Sequence, residues 1–283
     1  DAGADVDVDS AVVERYRAGF SRDVILEALE GVAFPESSRR NVRRKGDSGP
    51  MYGMCLGMTE CYTGGPRVSK NTRERPNLTR LLCALARQEI PDFEFTSIQV
   101  NKDYASALHV DGRDAGMSYI IGLGSYAGGL LWIDDGSPEG KEVDIHGRWF
   151  CFDGNRPHMV LPFVGRRYSI IYFSKTEGCD MAQDGEAEMP RQLSALGFPL
   201  PRERPEARVH APQQERLWNA GKRLERYRAR VRREGRRGDV GLQVRLPGGD
   251  ILPVALPPNA PLCHLAAAVG RRVASGCRAG AAG

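Results

Sequence analysis

Among the 283 residues there are five histidines, and two of them stand where they could do chemistry. His109 and Asp111 form a His-x-Asp step at the end of Asn101-Lys102-Asp103-Tyr104-Ala105-Ser106-Ala107-Leu108, and His158 opens another apolar run 47 positions after Asp111. Side chains at i and i+2 of a strand share a face, so His109 and Asp111 can aim together into a barrel mouth. A distant strand folding back can deliver His158 to the same point. Two imidazoles and one carboxylate form a ligand set for a ferrous ion, with coordination positions left open for a co-substrate and O₂. Nine positions past His158, Arg167 is followed at i+2 by Ser169, in the run Gly165-Arg166-Arg167-Tyr168-Ser169-Ile170-Ile171. A guanidinium beside a hydroxyl suits a distal carboxylate gripped in bidentate fashion, as 2-oxoglutarate would present.

Other residues compete for these roles. Asp114 and Asp153 are alternative carboxylates, but only Asp111 has the i, i+2 relation to His109. Arg166 replaces Arg167 as the anchor if the strand register slips by one. Asn101, Tyr104 and Tyr119 are candidates for shaping the pocket, although strand tyrosines more often pack in cores. His146 sits in a turn, and His210 and His264 have no acidic partner at ligand spacing. The run Gly122-Leu123-Gly124-Ser125-Tyr126-Ala127-Gly128 echoes a dinucleotide fingerprint, yet it leads into a strand and no βαβ unit surrounds it.

Several elements must position these groups. Ser10 and Ser21 are candidate caps for two N-terminal helices. A loop-like stretch from Pro35 to about Arg75 carries a cationic cluster, Arg39, Arg40, Arg43, Arg44 and Lys45, that reads as a solvated loop or an anion contact. Pro76 to Ile90 has Leu78, Leu81, Leu82, Leu85 and Ala86 at helical spacing. From Phe93, short runs rich in β-branched and aromatic residues follow one another: 95–100, 118–123, 129–133, 148–152, 158–162 and 167–173. Such spacing without intervening helices indicates an antiparallel sandwich or barrel, and a double-sheet jelly roll fits the order best. The expected fold is therefore α+β and mainly β, a jelly-roll core buttressed by N-terminal helices.

Four regions follow from this reading: an N-terminal helical support (1–92), the jelly-roll core (93–176), a Pro-rich then basic helical connector (177–237) and a tail (238–283). The connector holds a helix over 215–233 with Leu217, Leu224 and Val231 on one stripe. In the tail, strands at 240–246 and 251–256 and a helix from Asn259 through Val273 look like the start of a ubiquitin-like β-grasp, a surface for a protein partner. The net charge of +4 is uneven: residues 202–237 hold 13 basic and 5 acidic side chains, whereas 1–201 carry 23 and 29. A cationic arm on an acidic body either contacts nucleic-acid phosphates or is a solvated spacer, and the spacer is the first expectation. No apolar run approaches the roughly 20 residues of a membrane span, and the acidic first residues show no secretory signal. Seven scattered cysteines form neither a disulfide framework nor a zinc ladder, which points to a reducing, intracellular setting.

The segments Thr96-Ser97-Ile98-Gln99-Val100-Asn101, His109-Val110-Asp111, Ser118 to Gly124, Gly128-Gly129-Leu130-Leu131-Trp132, Phe152 to His158 and Pro162-Phe163 leading to Arg167-Tyr168-Ser169 together resemble the core of the Fe(II)/2-oxoglutarate-dependent dioxygenases. They are most similar to the branch holding the TET methylcytosine dioxygenases and the base-J-binding (JBP) oxygenases. The resemblance covers about 80 residues densely, from Phe95 to Phe173. It implies that His109, Asp111 and His158 bind iron, that Arg167 with Ser169 holds 2-oxoglutarate, that O₂ is the oxidant, and that ascorbate is an optional reductant. It also implies oxidation of the 5-methyl group of a pyrimidine in nucleic acid. Proline hydroxylation in a protein, or a cupin-like binding module without turnover, are the other expectations, and no base-recognition element is matched.

Overall fold

The computed structural model describes residues 6–256 apart from 38, 40, 41, 48, 62–64, 177–186, 204–209, 237–239 and 246–250. The chain opens with helices α1 (Ser10–Gly19) and α2 (Arg22–Gly31). Asp9 rather than Ser10 caps α1, its carboxylate accepting from the Ala11 N–H at 2.8 Å, while Ser21 caps α2 as expected. Next come strands β1 (Tyr52–Cys61) and β2 (Gly65–Val68), the short helix α3 (Lys70–Glu74) and helix α4 (Pro76–Glu89), the last started by its proline. The remaining strands before the connector are β3 (Ser97–Lys102), β4 (Asp114–Leu123), β5 (Tyr126–Gly128), β6 (Leu131–Ile133), β7 (Lys141–Val143), β8 (Phe150–Phe152), β9 (His158–Val160), β10 (Phe163–Gly165) and β11 (Tyr168–Lys175).

Among the described residues every pairing between these strands is antiparallel. A six-stranded sheet runs β2-β1-β3-β11-β4-β8; opposite it lie a three-stranded sheet, β7-β6-β9, and the pair β10-β5. Period-two alternation splits the large sheet into two faces. Met54, Leu56, Ile98, Val100, Ile121, Ile170 and Tyr172 pack with Leu78, Leu81, Leu82 and Leu85 of α4 and with Tyr16, Ile25 and Leu29 of the first two helices. Gln99, Asn101, Ile120, Ser169 and Ile171, one position out of phase, line a cavity between the sheets.

The stretch read as a loop from Pro35 to Arg75 thus contains two strands of the main sheet. Glycines hid them, because glycine depresses strand propensity. Gly53 sits where an added Cβ would lie 3.0 Å from Asn101 Oδ1 and from the Val100 carbonyl, and Gly57 has φ +84° with Phe198 2.7 Å from where a Cβ would be. Their absent side chains let β1 lie against β3.

Two corrections concern the connector. Its polar first half contains helix α5 (Glu188–Leu196), whose Leu193, with the following Phe198, is buried against the helical core. Its basic half, helix α6 (Gln213–Arg236), is not a solvated spacer. Ala220, Leu224 and Tyr227 pack on Trp132 and Met159 of the three-stranded sheet. The buried stripe therefore uses Leu224 but not Val231, which is 41% exposed. Inward arginines reach acidic groups: Arg223 to Asp134 at 2.6 and 2.8 Å, and Arg230 to Glu139. Beyond α6, β12 (Val240–Arg245) and β13 (Ile251–Leu256) form the expected hairpin; the helix expected over 259–273 lies outside the described residues, as do Arg40 and His264. Among the described residues no helix is long and apolar enough to cross a membrane.

Candidate metal centre and cavity

His109 precedes β4 and pairs with the first residue of β9 through an isolated bridge: the His109 N–H donates to the His158 carbonyl at 3.0 Å, and the His158 N–H to the His109 carbonyl at 2.9 Å. This reciprocal pair sets the two imidazoles 4.3 Å apart between ring centres. Asp111, two residues on, is held by its N–H bonding the Gly154 carbonyl at 2.9 Å. His109 Nε2 lies 3.7 Å from Asp111 Oδ1, and His158 Nε2 lies 3.5 Å from Asp111 Oδ2. One ligand atom from each of the three falls within 4.8 Å of the others, and both histidines are buried.

The donor chemistry fits a divalent metal. Each histidine directs Nδ1 to the carbonyl two residues before it, His109 to Ala107 and His158 to Arg156, both at 2.8 Å. A carbonyl can only accept, so each Nδ1 carries the proton and each Nε2 lone pair points to the centre. Burial, with His158 nearby, pushes the His109 pKa down to about 4, so its imidazole is neutral at pH 7. Burial alone would raise the Asp111 carboxyl, but His158, His109 and Arg39 outweigh it and hold it well below the usual carboxylate range.

By sequence Arg39 is one member of a cationic loop cluster, yet its Nη2 sits 2.9 Å from Asp111 Oδ1. Nothing local in the sequence ties residue 39 to residue 111. Asp114, the competing carboxylate, is committed elsewhere: its Oδ1 accepts from Lys175 Nζ at 2.6 Å. Burial and the Asp111 charge push Asp114 up to about 7 against the pull of Lys175. Asp153 faces His210 at 3.3 Å. Thus His210 has an acidic neighbour after all, but not one shared with the triad.

The triad opens on a cavity of about 670 Å³ that Asn101, Tyr104 and Ser169 also line. Asn101 Nδ2 donates to Ser169 Oγ at 3.3 Å, and the Tyr104 hydroxyl bonds the Val42 carbonyl. Tyr119 is not at the cavity; its ring packs 4.7 Å from Phe93 on the helix-side face. Ile120, Leu131, Phe152 and Ile171 give the lining an apolar wall.

Arg167 stands just before β11, two residues from Ser169, and is 1% exposed. Its guanidinium carbon lies 5.4 Å from the Tyr126 ring centre and 5.6 Å from that of Phe163. Nε and Nη2 of Arg167 and the Tyr126 hydroxyl are buried and make no hydrogen bond. Gly129 makes room for this side chain, since a Cβ there would meet Arg167 Nε at 2.9 Å. Arg166, the alternative anchor, instead turns outward with a half-exposed side chain 3.3 Å from Asp103. Tyr126 and Phe163, which frame Arg167, stand on β5 and β10, three-residue strands too short to show a pattern.

No protein-family model matches the chain, and no curated protein matches it by sequence. Among solved structures it is similar to an oxidoreductase of the 2OG-Fe(II) oxygenase family from Burkholderia pseudomallei, at 15% identity over 60% of this chain and 94% of that one, with a TM-score of 0.39. It is also similar to NgTET1 in complex with 5mC DNA, at 16% identity over 60% and 70% of the two chains and a TM-score of 0.35. A third is a prolyl hydroxylase in complex with a hypoxia inducible factor peptide fragment, from Trichoplax adhaerens, at 15% identity over 58% and 77% and a TM-score of 0.35.

Proposed function

We propose that this chain is an Fe(II)- and 2-oxoglutarate-dependent dioxygenase on a jelly-roll scaffold, acting on the 5-methyl group of a pyrimidine in nucleic acid. Two features carry the reading: the ligand set at the cavity, and the buried Arg167 two residues before Ser169, which lines that cavity. Three metal-fit ligand atoms converge at one place, and the buried guanidinium of Arg167, held between the Tyr126 and Phe163 rings, has no carboxylate partner. A charge without a counter-ion is costly to bury, so Arg167 marks where an anion belongs.

His109, Asp111 and His158 would hold the iron. When bound, the metal supplies the coupling of O₂ reduction and oxidative decarboxylation of 2-oxoglutarate, to succinate and CO₂, to oxygenation of an unactivated C–H bond. The protein's own part is placement. Arg167, Ser169 and the Tyr126 hydroxyl supply donors for the far carboxylate, which fixes the co-substrate's direction along the cavity. Asn101 holds the Ser169 hydroxyl. Ile120, Leu131, Phe152 and Ile171 keep water from the reacting end. Arg39 binds one oxygen of Asp111 and so restricts how the carboxylate can turn.

The substrate class rests on the TET/JBP resemblance and on α6. With Arg216, Arg223 and Arg230 turned inward, the helix still exposes Lys222, Arg226, Arg228, Arg232 and Arg233, beside Trp218 at 66% exposure. A run of exposed cations that begins with Lys222 over an exposed indole suits a phosphate backbone and an unstacked base. The β12–β13 hairpin is the support for a ubiquitin-like module that would receive a protein partner.

The deciding experiment incubates the Fe(II)-loaded protein with 2-oxoglutarate and oligonucleotides containing 5-methylcytosine or thymine, and reads succinate and nucleosides by mass spectrometry. Succinate together with an oxidised base supports the whole proposal. Succinate with unchanged nucleosides and an oxidised prolyl peptide keeps the chemistry and replaces the substrate. Absence of both succinate and metal uptake in folded protein overturns it.

A further inference from the structure

His158 is carried by a strand that cannot hold itself. Strand β9 has three residues and forms the edge of its sheet; its inner neighbour β6 is equally short, and its outer side pairs with backbone at the single bridge to His109, the Val160 N–H and carbonyl being met by the Ser106 hydroxyl and by Arg44. Three-residue strands supply little pairing of their own. A metal ligand nonetheless has to be fixed to within a fraction of an ångström.

From these contacts we infer that the segment His210 to Arg230, lying wholly outside the oxygenase-like stretch, is a strap that positions His158. The inference rests on His158 being a metal ligand as proposed above. The strap grips the His158 arm at successive points. His210 faces Asp153 at 3.3 Å, at the start of the turn that leads into β9. Arg216 donates to the Asn155 carbonyl in the same turn. Arg223 forks onto Asp134 at 2.6 and 2.8 Å, and the Asp134 N–H in turn donates to the Pro157 carbonyl at 2.9 Å, immediately before His158. Behind the strand, Met159 and Trp132 pack on Ala220, Leu224 and Tyr227, and Leu108, beside the other histidine, joins the same cluster.

Alternation makes this arrangement act on the metal. His158 and Val160 face the cavity, so Met159 must face away, into α6. Loosening the helix lets β9 rotate or slide, and the imidazole goes with it. Arg216 and Arg223 touch neither metal nor substrate; they are positioning residues that act through the 153–157 turn.

The test uses the full chain and three variants: Arg216→Met, Arg223→Met and, as a control on an exposed position of the same helix, Glu225→Ala. Amide exchange followed residue by residue on metal-free protein reads the strap alone. Co(II) titration, with its ligand-field bands, reads the site. Arg216→Met leaves behind only a carbonyl, so it keeps the test open should Arg223→Met, which abandons a buried Asp134, fail to fold. The expected result is at least tenfold faster exchange of the His158 amide in the arginine variants and unchanged exchange along β3. Their Co(II) affinity falls by about tenfold or more, with shifted bands, the range seen when outer-shell partners of metal ligands are lost. Glu225→Ala matches the wild type. His158 exchange and Co(II) spectra in Arg216→Met indistinguishable from wild type overturn the inference. Should the wild-type protein take up no Co(II), the metal reading falls, and the exchange rates by themselves decide whether the helix holds β9.

Discussion

The Arg167 guanidinium and the Tyr126 phenol lie side by side, 5.4 Å from guanidinium carbon to ring centre, and neither the phenol hydroxyl nor Nε or Nη2 of the arginine makes a hydrogen bond. Arg75, 5% exposed, differs in that its Nη1 and Nη2 reach Asn71, Glu74 and the Ala33 carbonyl, whereas no carboxylate or carbonyl meets Nε or Nη2 of Arg167. Unmet polar demand at one place is a property of a binding site.

Arg167→Met therefore separates stability from binding. Without ligand, the variant is expected to be more stable than wild type by about 1–3 kcal/mol, because a desolvated charge is replaced by an apolar chain of similar length. Saturating 2-oxoglutarate raises the melting temperature of the wild type and leaves that of the variant in place. Thermal melts with and without the co-substrate check both halves.

Asp111→Ala is expected to abolish Co(II) or Fe(II) uptake, measured by equilibrium dialysis. The fold survives, since the partner left behind, Arg39, has a side chain 40% exposed and is rehydrated, at a cost below about 1 kcal/mol. Loss of metal binding accompanied by global unfolding would contradict this.

Glu89 ties three elements together, accepting from Arg22 Nη2 and from Trp149 Nε1, each at 2.6 Å. Burial raises its carboxyl, but the bonds from Arg22 and Trp149 outweigh that and hold it below its ordinary value of 4.5. A depressed carboxyl contributes stability above the unfolded-state value and loses it as pH falls through the folded one. Glu89→Gln should thus cost about 1 kcal/mol at pH 7, after allowing for solvent screening, and the gap should close below pH 4.5. Urea titrations at several pH values measure it.

Gly57→Ala tests the hidden strand. A left-handed φ of +84° and the Phe198 ring 2.7 Å from the new Cβ together predict a loss of about 2–4 kcal/mol by urea denaturation. A loss near zero would mean that β1 is not tied to β3 in this register.

What the sequence makes legible is local. His-x-Asp, the alternation that separates Arg167 from Arg166, and the leucine spacing of α4 are patterns of a few residues, and each matches what the structure displays around them. What could not be read depends on distant partners. Strand β1 needs glycines because Asn101 and Phe198 come close, a condition no window around residue 53 contains. Arg39 meets Asp111 across 72 positions of chain. In α6 helical spacing alone predicts a stripe of Leu217, Leu224 and Val231, whereas the groove formed by Trp132 and Met159 selects Ala220, Leu224 and Tyr227.

Packing on both outer faces has a practical consequence. A recombinant piece cut at 93–176 would lose α4 from one face, β1 from the edge of β3 and α6 from the other face, leaving Ile98, Ile170 and Tyr172 bare on one side and Trp132 and Met159 on the other. Such a fragment should aggregate on expression. A shortened protein therefore has to keep α1 through α6.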